Sequence, residues 1–303
     1  MRPEFNRKLG SRETDGPRWI PVEGSLVSPE SLPEGRAHSN TLVAGFSTAM
    51  PRLADIDLAP RVARLVEGNG HRPAEEGRRG TPDSVSLADN LLLLSQVHSA
   101  DILHTGTPGQ TEGMSSNGDP RPRFTREGKS VHRYDGATAT PGQSRWLGVK
   151  TADCVPLLAV AGHEEAYGAL HVGWRGAAAG IVEGMLARWG AQGLPGKNVR
   201  MVLGPHIGAC CYEVGQDCLD AFAPADLADA VIPTHGRTHL DLATVIQNQV
   251  RRHGVNPGHV VNMPWCTRCH SPGIGEPAFA SHRASLARGE TLSTTNVAII
   301  GYR

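Results

Sequence analysis

No stretch of this 303-residue sequence is apolar for long enough to cross a bilayer, which takes about 20 residues of helix. The longest apolar runs, such as VPLLAVAG after Cys154, fall far short. The opening residues MRPEFNRKLGSRETDGPRW carry charge but lack the apolar core of a secretory signal. Both absences set the expectation of a cytoplasmic protein with no membrane partner. Charge of one sign is also missing: 30 Lys and Arg balance 30 Asp and Glu. There is no basic excess to draw in a phosphate backbone, so nucleic acid is excluded as the main partner. The six cysteines, without an export signal, argue against a disulfide framework. In a reducing compartment a cysteine placed among histidines is more often a ligand or a nucleophile. A core of this size needs no covalent staples, and neither internal repeats nor coiled-coil heptads are present.

What is present is unevenly spread. Residues 1 to about 40 are polar and rich in Gly, Pro and Ser, and read as a flexible N-terminal segment before a single folded domain over 41–303. Within that domain, 68–83 and 106–133 have the composition of flexible insertions. Elsewhere order is concentrated. Arg145–Val149 and Val155–Ala161 read as short buried strands around the polar turn TADC. Ala166–Val172 reads as a strand running into GWRG, and Val199–Leu203 as one entering GPHIGACC. Ala177–Trp189 spaces Ile181, Met185 and Trp189 four apart, which predicts an amphipathic helix. Asp241–His253, with Leu242, Val245, Ile246 and Val250 on one side, predicts another. Asn296–Tyr302 closes the chain as a strand. Strands and helices interleave, so the fold class is mixed α/β (α+β), expected as a single layered α-β-β-α sandwich with mixed sheets.

Polar residues that are expensive to bury fall at three separate strand ends: Gln96-Val97-His98 after LLLLS, Thr151-Ala152-Asp153-Cys154 between two strands, and His171 before GWRG. His98, Cys154 and His171 together form a Cys-His₂ set. Three protein ligands leave the fourth position of a tetrahedral zinc open, the arrangement of a catalytic site, where a bound water ionises near neutral pH. On spacing alone this competes with a plainer account in which Cys154 is a small buried hydrophobe and both histidines are satisfied core residues. Arg175, in a Gly-flanked turn at a helix start, suits an anion such as phosphate. It also suits a solvated arginine capping a turn.

The segments QVHSADI, DGATAT from Asp135, GVKTADCVPLLA, HVGWRGAAAGIVEGML and GPHIGACCYEVG resemble the laccase-domain family, formerly multicopper polyphenol oxidases. Its bacterial members are described as purine nucleoside phosphorylases. The resemblance runs from about Leu87 to the C-terminus. It implies one zinc held by His98, Cys154 and His171, with copper as the lesser alternative. It also implies purine nucleosides and inorganic phosphate as partners, in a monomer or homodimer. Adenosine, inosine, guanosine and methylthioadenosine would be split by phosphate to base and pentose-1-phosphate, and adenosine deaminated to inosine. Arg175 and Arg283 are then the candidate phosphate contacts. Asp153 would orient a ligand, relay a proton or cap its turn, and His206 would touch substrate.

The sequence departs from the family in places. Where GFSTRxGGVS is usual it reads GFSTAMPRLAD, with Ala49 at the arginine position. Asn90-Leu91 replaces an Asn-Arg pair, and FFSYRR is matched only by Phe279, Ser281 and Arg283. These departures touch the expected phosphate contacts and leave the metal set intact. Other readings compete. WCTRCH fits the C-x-x-C-H of attached haem, which requires export. A structural zinc on Cys266 and Cys269 needs two more ligands; the spacing of Cys210, Cys211 and Cys218 matches no zinc ribbon, and Cys210 and Cys211 read as packed loop residues. A copper oxidase, a Cys-His amidase editing cell-wall precursors with Cys154 as nucleophile, and a non-catalytic metal-binding module complete the set.

Overall fold

The computed structural model describes residues 19–22, 42–51, 66, 90–105, 111–114, 124–126, 129–131, 133–143, 145–263, 265–270 and 279–302. Its strands are β1 (Trp19–Pro21), β2 (Leu42–Ser47), β3 (Met50–Pro51), β4 (Leu91–Leu93), β5 (Ile102–Thr105), β6 (Thr111–Met114), β7 (Phe124–Arg126), β8 (Lys129–Val131) and β9 (Gly136–Ala139). They continue with β10 (Trp146–Thr151), β11 (Val155–Ala161), β12 (Ala166–Val172), β13 (Val199–Leu203), β14 (Val231–Thr234), β15 (Arg237–Leu240), β16 (Val260–Asn262) and β17 (Thr294–Tyr302). The helices are α1 (Trp174–Ala178), α2 (Ile181–Ala191), α3 (Gln216–Leu219), α4 (Leu242–Arg252) and α5 (His282–Ala287).

β11 and β12 are buried at every position, as expected of strands covered on both faces. Alternation along β11 sorts its side chains into two cores. Val155, Leu157, Ala159 and Ala161 face one way and pack with Ile181, Met185 and Trp189 of α2 and Val245, Ile246 and Val250 of α4. Leu158 and Val160 face the other way and join Phe46, Leu147, Val149, Ala298 and Ile300. The first core lies between sheet and helices, the second between two sheets. One sheet runs β16-β13-β11-β12-β9-β5-β6, the other β1-β2-β17-β10-β4 with β3 also on β17. Both are mixed, with parallel pairs β13–β16, β5–β9 and β4–β10 among antiparallel ones. A third apolar cluster of Met50, Val66, Trp146, Val297 and Ile299 forms on the opposite face of β10 and β17. The layered α+β class read from the sequence is what forms.

Two local readings change. The helix expected over Ala177–Trp189 is two helices, because Gly180 adopts a left-handed φ of 82° and re-aims the chain between α1 and α2. In 106–133, expected as a flexible insertion, β6 pairs with β5 and β7 with β8; the rest of that run apart from Arg133, all of 68–83 and most of 1–40 lie outside the described residues. The helix at Asp241–His253 forms as expected. Asp241 caps it by accepting from Thr244 N at 3.1 Å, and Arg252 ties it to Glu183 of α2 and to Asp226. Among the described residues no helix is long and apolar enough to cross a membrane.

Candidate metal centre and active site

Strand pairing builds the site. β10 belongs to one sheet and β11 to the other, so Ala152-Asp153-Cys154 is the step between them, turned sharply by a φ of 100° at Asp153. β11 runs antiparallel to β12 with Val155 opposite Val172 and Pro156 opposite His171. The start of β11 and the end of β12 therefore share one edge, which sets Cys154 beside His171 and Gly173. β9 pairs with β12, Gly136 opposite Leu170, and β5 lies parallel to β9. Asp135 and the 97–101 loop thus enter at that same edge.

The three expected ligands meet there. The ligand atoms of His98, Cys154 and His171 lie within 4.8 Å of one another, with Cys154 Sγ 3.8 Å from His98 Nε2. The two imidazoles sit edge to face, centroids 4.8 Å apart. Gly173 leaves the room: a Cβ there would stand 3.1 Å from both Cys154 Sγ and His98 Cδ2.

Asp135 organises the group, a role the sequence reading did not give it. Its Oδ1 accepts from His171 Nδ1 at 2.8 Å and from His98 N at 2.9 Å. Its Oδ2 accepts from Val97 N at 3.1 Å, Ser99 N at 2.7 Å and Ser99 Oγ at 2.8 Å. The 97–99 turn, with His98 at a φ of 60°, wraps the carboxylate in backbone N–H groups. Burial raises the Asp135 pKa, but the bonds from His171 and Ser99 outweigh it and hold the carboxyl below its usual range. A carboxylate on Nδ1–H leaves Nε2 of His171 as the ligand atom and fixes the ring. Burial pushes the Cys154 thiol up, yet His171 and His98 bring it down to about 6. Burial likewise pushes His171 down, and Cys154 with Asp135 lifts it to about 9. Each partner thus favours the charged form of the other, and a cation held by these donors would balance the thiolate's charge. Soft thiolate plus two imidazoles fit zinc or copper chemically. Among the described residues the other candidate donor group holds no histidine, so a cluster of several histidine-bound coppers does not form there.

The remaining candidates divide. Both oxygens of Asp153 are engaged, Oδ1 by Thr267 Oγ1 and Oδ2 by Arg283 N, each at 2.7 Å, and its carbonyl accepts from Ile207 N. It anchors the Cys154 turn to three later segments. Arg283 stacks on Tyr212 with 5.1 Å from Cζ to the ring and donates to Glu213 O. Tyr212, missed in the sequence although it stands in GPHIGACCYEVG, lies close enough to the site to feel Cys154, Arg283 and Asp153, after burial has raised its phenol. Arg175 is exposed and lies over Trp174 at 4.2 Å. Both it and Arg283 act electrostatically on Cys218. His206 is set apart: it is buried, held neutral by burial, and bonds Gly204 O through Nδ1 at 2.7 Å.

Fold and donors together define a mixed α+β protein with a candidate three-ligand metal centre at the seam of two sheets. Residues 67–297 match the family described as multi-copper polyphenol oxidoreductase laccase, and the chain belongs to it. A purine nucleoside phosphorylase of Deinococcus radiodurans is 31% identical over 207 residues, which is 68% of this chain and 70% of that one. Adenosine deaminase RL5, from an unknown prokaryotic organism, is 30% identical over 161 residues, 52% of this chain and 60% of that protein. In fold, the chain is similar to the hypothetical protein YfiH of Bacillus licheniformis, with a TM-score of 0.64 at 23% identity over 86% of this chain and 92% of that one.

Proposed function

We propose that this chain is a zinc-dependent purine nucleoside enzyme. It splits adenosine, inosine, guanosine and methylthioadenosine with inorganic phosphate to the free base and pentose-1-phosphate, and it deaminates adenosine to inosine. The observation that carries the reading is the convergence of His98, Cys154 and His171 with Asp135 behind them. The family relatives named as a phosphorylase and a deaminase support it. His98, Cys154 and His171 hold the metal, which when bound supplies Lewis acidity at this edge. The chain's own side chains do the rest. Asp135 orients His171, Asp153 fixes the Cys154 turn, and Arg283 with Arg175 binds the phosphate dianion. Tyr212, stacked on Arg283, lines the approach between phosphate and metal.

A second reading draws on the lowered Cys154 pKa. A thiolate beside a histidine is the working pair of a Cys-His amidase, with Cys154 as nucleophile and His171 as acid and base. The test is chromatography of products after incubating zinc-loaded protein with inosine or adenosine, with and without phosphate, beside Cys154→Ala. The expected result is hypoxanthine from inosine only with phosphate, and inosine from adenosine, both reduced to background in the variant. Absence of product from both nucleosides overturns the proposal and moves the amidase forward.

A further inference from the structure

Four of the other five cysteines meet at a second place. Cys210 and Cys211 lie in the turn after β13, and Cys266 and Cys269 in the loop after β16. The four sulfurs are within 4.8 Å of one another, with 3.5 Å between those of Cys210 and Cys269. The sequence reading took Cys210 and Cys211 as packed loop residues and left Cys266 and Cys269 two ligands short. The fold supplies both, from a segment more than fifty residues away.

We propose that Cys210, Cys211, Cys266 and Cys269 bind a second zinc ion, in a closed structural site. Zinc–sulfur bonds of about 2.3 Å in a tetrahedron put neighbouring sulfurs about 3.8 Å apart, close to what this cluster shows. A disulfide needs about 2.05 Å between sulfurs, and all four are free thiols. The backbone is arranged for a sulfur carrying negative charge. Gly208 N donates to Cys266 Sγ at 3.3 Å, and the N–H groups of Arg268 and Cys269 face the same atom. Gly208 lies against the cluster: a Cβ there would touch Cys210 Sγ and Cys266 Cβ at 3.4 Å, within van der Waals contact. Four protein sulfurs leave no position for water or substrate, so the ion is a clip and not a reaction centre.

What the clip holds is informative. The two loops are also joined by a short ladder, His206 N to Trp265 O at 3.3 Å and Thr267 N to His206 O at 2.9 Å, and by Arg268, which donates to Cys211 O at 3.4 Å. Each loop packs apolar side chains into a core, Ile207 and Tyr212 from one and Met263 and Trp265 from the other, and metal–thiolate bonds would add a direct tie between the two. Thr267, inside the C-x-x-C, donates to Asp153, the neighbour of Cys154. The second ion therefore braces the turn that presents a ligand of the first centre.

Metal analysis of the purified full-length chain by mass spectrometry tests this. The expected count is two zinc ions per chain, falling to one in Cys154→Ala and to one in Cys210→Ser/Cys269→Ser. Cobalt exchanged into Cys154→Ala should give the intense near-ultraviolet and visible bands of a tetrahedral thiolate site, lost on the double substitution. Because the first centre is removed in that background, failure of the nucleoside reading leaves this result standing. One ion in the wild type and none in Cys154→Ala overturns the proposal. So does an intact mass short of two hydrogens under non-reducing conditions, which would mark a disulfide.

Discussion

At the scale of single residues, Asp135 does the most with the least signal in the sequence. It receives three backbone N–H groups, one hydroxyl and one imidazole. An amide in its place keeps the size but turns two of its four hydrogen positions into donors, which face donors already there. Asp135→Asn is expected to lower zinc affinity 10- to 100-fold, the usual cost of losing a carboxylate behind a histidine ligand, with the far-ultraviolet spectrum unchanged. Competition against a chromophoric chelator measures it, and an unchanged affinity would reject the organising role. Its partners stand 36 to 38 residues away in sequence, beyond any local pattern. His98, Cys154 and His171 were legible because each stands at the border of an apolar strand, where a polar side chain demands a reason, and because the motifs around them resemble a known family.

At the scale of elements, the buried strands were legible to the residue: β11, β12 and β13 begin and end where their apolar runs do. The helix after β12 was not, because Ile181, Met185 and Trp189 keep their spacing whether or not the chain bends before them. Gly180 carries the break, at a φ an L side chain adopts at a cost of about 1–2 kcal/mol. Gly180→Ala should therefore destabilise the protein by about that amount, read as a lower urea midpoint with an unchanged slope. If stability rose instead, α1 and α2 would be better described as one helix with an incidental kink. The cysteine pairs illustrate the opposite limit. Adjacent Cys210 and Cys211, and Cys266 with Cys269, meet only because β13 and β16 lie side by side in one sheet.

At the scale of the molecule, stability responds to pH through a histidine outside the metal-donor set. His104 on β5 is held down to about 4 by burial and by Arg188, from an ordinary 6.5. The unfolded chain takes the proton first, so the contribution is complete above about pH 6.5 and is lost as pH falls toward 4. From pH 7 to pH 5 this withdraws about 2 kcal/mol. Denaturant unfolding at the two pH values should show the loss, and His104→Gln should flatten it by about that amount. An equal slope in the variant would place the dependence on other groups.

The step from β10 to β11 gives the whole molecule an order of assembly. Cys154 sits where one sheet hands the chain to the other, and its companions arrive on β12 and on the turn before β5. Until β5, β9, β11 and β12 have paired into one sheet, these donors are scattered over more than seventy residues of unpaired chain, and closing such separated contacts is the slow part of folding. The β11–β12 hairpin alone brings Cys154 to His171, but all three donors meet only once β5 and β9 have joined it, so a full set serves as a certificate of assembly: a chain stalled with these strands apart offers no edge at which His98, Cys154 and His171 converge.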